Sequence, residues 1–136
     1  MNSLQVSEQF GGAPFDELTD HGSKGIGEIL DIYDSKRWFE EASTAEITEL
    51  CAPTISLKDA SSDRLFWISP YLNDGELRFV NEYRYRLASR GILSRIMRKT
   101  HESPQTRELN TNEARRALQL FSEDRHEELL QLVCSA

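Results

Sequence analysis

The sequence predicts an α+β fold: N-terminal helices, a short strand plus a β-hairpin over about residues 64–88, and C-terminal helices. Three observations carry that reading. Apolar residues fall at Ile26, Ile29, Leu30 and Tyr33, the i, i+3, i+4, i+7 spacing of one helix face. Apolar and polar residues alternate on both sides of Asp74-Gly75, as strands flanking a tight turn do. Helical spacing returns with Ala114, Ala117, Leu118 and Phe121. A chain of 136 residues, 38% hydrophobic and 29% charged, has material for one core, and 7 Gly with 4 Pro exclude the bias of fibrous or disordered chains.

Residues 1–24 mix Ser, Gln, Gly and acids around Phe10 and Phe15, and read as a flexible N-terminal arm; residues 25–136 read as a single α+β domain. The first helix starts at Ile26, and Asp34-Ser35 can interrupt it before Trp38 and Phe39. Ser43-Thr44-Ala45-Glu46 has the form of a capping box and predicts a short helix through Ile47 and Leu50. Pro53 ends it, and Ile55 and Leu57 alternate with Ser56 and Lys58 as in a strand. A two-residue Asp74-Gly75 loop sets the hairpin register: Leu72 faces Leu77, Pro70 faces Phe79, Phe66 faces Tyr83 and Trp67 faces Glu82. Pro70 cannot donate to a ladder, which predicts an edge strand or a bulge there. Ile92, Leu93, Ile96 and Met97 form an apolar stripe for a short basic helix. Asn110 with Glu113 forms an N-cap for the next helix, and Ser122 can cap a last one through Leu129, Leu130 and Val133.

Charge is unevenly spread. The net charge is −7, yet residues 1–50 alone carry −8 while residues 78–100 carry +6 from Arg78, Arg84, Arg86, Arg90, Arg95, Arg98 and Lys99 against Glu82. An acidic block draws a basic partner and a basic block draws phosphate, each by raising local encounter rates. No apolar run approaches the roughly 20 residues of a membrane span, so no membrane partner is expected. Cys51 and Cys134 match no metal or redox spacing, which fits reduced thiols and a cytoplasmic setting, with a disulfide as the alternative.

No motif names a chemistry, so neither enzymatic activity nor a cofactor is expected. His21, His101 and His126 show no paired metal-ligand spacing, no metal site is expected, and no cysteine sits in an activating context. Gly22-Ser23-Lys24-Gly25 resembles the GxxG loop with which KH domains clamp a nucleic-acid backbone, though an acidic helix follows it. Asp31 and Asp34 can share one helix surface. The order helix, helix, strand, hairpin is similar to that of the cone-shaped NTF2-like fold, a resemblance that implies a small-molecule enzyme with an enclosed pocket.

The leading expectation is a protein-binding module of inhibitor or immunity type that occludes a basic partner. Asp31, Asp34, Glu40 and Glu41 would supply charge, and Trp38 and Phe39 aromatic anchors. The alternative is binding of RNA or single-stranded DNA through residues 78–99. There Trp67 and Tyr71 would stack on bases while Arg78, Arg84, Arg86, Arg95, Arg98 and Lys99 meet phosphates. An exposed apolar side of the hairpin would also suit a dimer.

Overall fold

The hairpin forms in the register set by its turn. A computed structural model of the protein describes residues 4–14, 18–86 and 104–134. In it Asp74 and Gly75 both take positive φ, 52° and 81°, the pair of angles that a type I′ turn requires. Strands Arg64–Asn73 and Glu76–Arg84 then pair Leu72 with Leu77, Pro70 with Phe79 and Phe66 with Tyr83. The preceding strand, Thr54–Asp59, joins them antiparallel, with Ile55 and Leu57 turned inward as their alternation predicts.

The order of elements differs from the expectation, because strands and not helices open the chain. Residues Leu4–Gln9 form β1 and Leu18–Lys24 form β2; then come helices α1 (Ile26–Ser35) and α2 (Trp38–Thr48), strands β3, β4 and β5 as given above, and helices α3 (Thr111–Ser122) and α4 (His126–Cys134). The five strands make one antiparallel sheet in the order β2-β1-β3-β4-β5. β1 alternates after all: Leu4, Val6 and Glu8 are buried on one side while Gln5 is exposed on the other. That short period lies in the stretch read as an arm, and β1 gains its place by pairing with β3, distant in sequence. The predicted basic helix over Ile92–Met97 lies outside the described residues.

α2 also departs from the reading. It runs unbroken from Trp38, so Ser43 lies inside it and caps nothing. Trp38, Ala42 and Ala45 fall on one face, and a helix begun at Ser43 would have left the indole without its backing turn. Ser122 likewise ends α3 instead of capping α4, its hydroxyl donating to the Leu118 carbonyl. The Asn110–Glu113 capping box forms as predicted.

Pro70 sits in β4, an interior strand. Phe79 exchanges both backbone hydrogen bonds with Leu109, at 2.8 and 2.9 Å, so its N–H and C=O point away from β4. Its partner Pro70 therefore turns its nitrogen toward the β3 side, where pairing has already stopped at Ile68. No ladder bond is lost there.

The helices cover one face of the sheet. Tyr33, Trp38 and Phe79 pack beneath α1 and α2, with the Trp38 and Phe79 rings edge to face at 5.2 Å. Phe66, Tyr83 and Phe121 pack beneath α3. The Trp38 indole N–H donates to the Tyr33 carbonyl, which satisfies its polar end inside the core.

Candidate functional site

The corner where α1 turns into α2 gathers charge. The Lys36 side chain is only 1% exposed, and its Nζ lies 2.6 Å from Glu8 Oε2 and 2.8 Å from Glu41 Oε1. Glu8 reaches it because β1 points every second residue at the helices. Glu8 Oε1 meets His21 Nε2 at 2.8 Å, and a bulge in β2 puts His21 there: Val6 pairs with Gly22 but Ser7 with Asp20, which leaves His21 as the extra residue. Gly11 donates its N–H to Glu41 Oε1, and a Cβ on it would lie 2.1 Å from the Glu41 carbonyl oxygen, so only glycine allows this approach. These groups floor a cleft of about 560 Å³ that Phe10, Ile32, Arg37 and Glu40 help to wall. The lysine ammonium, held by two carboxylates, ties β1 to α2.

The far side of α2 presents a different chemistry. Ile47 is 83% exposed and Phe39 52%, and Leu50 just beyond the helix is exposed too. Glu40, Glu46 and Glu49 surround them and face solvent. Glu46 and Glu49 form no ion pair among the described residues. Glu49 closes the helix in the left-handed region at φ 57°, where a β-carbon is disfavoured.

The residues expected to bind a basic partner therefore separate. Trp38 is a core residue, and Glu41 is held in the Lys36 network. Asp34 receives both Nε and Nη2 of Arg115 at 2.9 Å, and that guanidinium holds its carboxyl below the usual carboxylate range. Asp31, Phe39 and Glu40 remain on the surface.

The second candidate surface is the sheet face away from the helices. The register runs Ser7, Ser56, Trp67 and Glu82 across four strands, with Lys58, Leu65 and Arg84 in the next row and Tyr71 beside Arg78 toward the hairpin end. Structure thus brings Trp67, Tyr71, Arg78 and Arg84 onto one face, beside a shallow trough of about 510 Å³ bounded by Leu18, Ser69 and Val80. Each is also bound to a carboxylate. Trp67 Nε1 donates to Glu82 Oε1 at 3.0 Å, Tyr71 bonds Glu108, Arg78 lies 3.2 Å from Glu76, and Arg84 lies 3.5 Å from Glu82. Arg86 is exposed, while Arg95, Arg98 and Lys99 lie outside the described residues. The Gly22-Ser23-Lys24 part of the GxxG match belongs to β2, and Gly25 precedes α1, so the motif forms no free loop.

Sequence reasoning missed a second buried cation. Arg64 Nη1 donates to the Tyr83 hydroxyl at 3.1 Å, its Nη2 lies 2.6 Å from Asp124 Oδ1, and its guanidinium covers the Phe121 ring. The Tyr83 hydroxyl in turn meets His126 Nδ1 at 2.7 Å. Burial raises the Tyr83 phenol above its ordinary value, with Arg64 opposing. Asp59, also at Arg64, is pushed upward by burial but brought below the ordinary carboxylate range by hydrogen bonds from Ser61 and Ser62. Nothing local flags Arg64; only its place on an inward-facing register position does. Cys51 and Cys134 are both free.

Among the described residues no three His, Cys, Asp or Glu side chains gather as a metal ion would need, and no helix is long and apolar enough to cross a membrane. No family model, no curated protein and no solved structure matches the chain. The order helix, helix, strand, hairpin that resembles NTF2-like proteins is present in α1, α2 and β3–β5, with two strands preceding it.

Proposed function

We propose that the protein is a small acidic binding module that acts by covering a basic protein partner, as an inhibitor or immunity protein does. One imbalance supports the reading. Arg64, Arg78, Arg84, Arg107, Arg115 and Arg125 each hold a carboxylate within 3.5 Å, so much of the described positive charge is neutralised at home. Asp31, Glu46 and Glu49 stand exposed without an ion pair among the described residues. Uncompensated surface acids raise the local concentration of a cationic partner and speed its encounter. A second reading, single-stranded nucleic-acid binding, draws on the shared face of Trp67, Tyr71, Arg78 and Arg84.

Affinity purification from the native host separates the two. Wild type is run beside a variant carrying Asp31→Asn, Glu40→Gln, Glu46→Gln and Glu49→Gln, at low and high salt. The expected outcome is a basic protein retained by wild type at low salt, released at high salt and lost from the variant. Equal retention by the variant overturns the reading, and recovery of RNA or DNA in place of protein moves it to the second.

A further inference from the structure

We infer that the partner is held on the outer face of α2, and that what docks there is a basic amphipathic helix. The inference rests on the acidic binding module proposed above and names its contact surface. At 100° per residue, Phe39, Ser43 and Ile47 form one oblique ridge along the i, i+4, i+8 row. That ridge starts beside the buried residues Trp38, Ala42 and Ala45, with Phe39 three positions from Ala42, and winds round until Ile47 lies opposite Trp38. α2 thus carries two exposed apolar side chains, Phe39 and Ile47, outside its buried row, and no described residue covers them.

The charge around the ridge chooses the occupant. Glu46 flanks it on one side and Glu40, paired with the exposed Arg37 at 3.5 Å, on the other, while Glu49 beyond the C-terminus, like Glu46, has no ion pair among the described residues. Glu40 and Glu41 in the first turn suit the positive end of the helix dipole, but the last turn holds no base. The C-terminal carbonyls and Glu46 and Glu49 therefore add negative potential to negative potential. A second copy of the chain would set these acids against each other in a self-complementary pairing, which disfavours a dimer through this face. A partner helix with an apolar stripe and flanking Lys or Arg meets every requirement: leucine-sized side chains fill the gap over Ser43 between Phe39 and Ile47, and cations reach Glu40, Glu46 and the dipole end. At ~1.5 Å per residue, the 11 residues of α2 offer about three turns of contact.

The probe is a synthetic helical peptide with leucines at i, i+3, i+4 and i+7 and lysines on the flanks, beside a copy with glutamate for lysine. Binding is read by anisotropy and by backbone amide shifts of the full-length protein. The lysine peptide is expected to shift amides 39–50, to weaken with salt, and to lose about tenfold or more in affinity with Ile47→Ser. Glu49→Gly separates recognition from folding: glycine suits the left-handed position, so the unfolding midpoint rises while affinity for the lysine peptide falls. Equal binding of the glutamate peptide, or unchanged affinity of both variants, overturns the inference. Should the lysine peptide bind in a salt-sensitive way but shift residues elsewhere, the acidic module stands and the α2 assignment falls. Failure of the lysine peptide to bind at low salt removes both.

Discussion

The two sides of α2 carry similar apolar content and meet opposite fates. On the inner side Trp38 is 6% exposed against Phe79 and Tyr33, and Glu41 clasps both Lys36 and the Gly11 backbone. On the outer side Phe39 and Ile47 touch solvent; of the neighbouring acids, Glu40 pairs with the exposed Arg37 at 3.5 Å, while Glu46 and Glu49 form no ion pair among the described residues. Surface helices of soluble proteins normally confine their apolar residues to one stripe. The inner side is thus where α2 gains its stability, and the outer side is where the proposed recognition would act.

Substitutions should divide along the same line. Trp38→Ala removes the indole from the aromatic group beneath the helix pair and should cost about 3–5 kcal/mol in urea unfolding. A loss below ~1 kcal/mol would deny that the inner face anchors the helix. Lys36→Met keeps most of the volume but leaves Glu8 and Glu41 facing one another without a cation, and breaking a buried pair from one side costs about 3–5 kcal/mol. Adding Glu8→Gln and Glu41→Gln to it should recover most of that loss; if the triple variant is as unstable as the single one, charge is not the cause.

Acid should lower stability through ion pairs and hydrogen bonds elsewhere in the fold. Asp34 and Asp59 both titrate below their ordinary range when folded. Folding therefore releases protons in this window, and the stability these groups give is present above the ordinary carboxylate range and is lost as pH falls through their depressed values. Denaturation midpoints between neutral and strongly acidic pH should drop accordingly, less so in Asp59→Asn. Smallest of all, Ile47→Ser should change stability by no more than about 0.5 kcal/mol, since the side chain has little to lose on the surface. A larger loss would mean that the outer ridge is part of the core's support.

Legibility followed the range of the interactions. The β4–β5 register and the Asn110 cap were readable because both are set by neighbours in sequence: a turn two residues long and a side chain three positions away. β1 was not, although Leu4, Val6 and Glu8 alternate, because six residues of weak period compete with the turn formers Gly11 and Gly12 and the strand is stabilised by β3 far along the chain. Ser43 shows the converse error. A valid local cap signal lost to the packing of Trp38, Ala42 and Ala45. Within the candidate surface, Phe39 and Glu40 could be named from composition, but Ile47 and Glu49 could not, because their exposure depends on where α2 begins. The Lys36 and Arg64 networks escaped for a related reason: each joins residues from three or more segments whose meeting is decided by the sheet order.

The irregular outer strand β2 bears on how copies of the chain meet in a crowded solution. An even row of free amides and carbonyls at a sheet border can template an endless cross-β stack. Here the extra residue at His21 and the positive φ of Gly22 throw that row out of step, while on the opposite border Phe79 is already occupied by Leu109. Growth into fibrils by strand addition is hindered at either end.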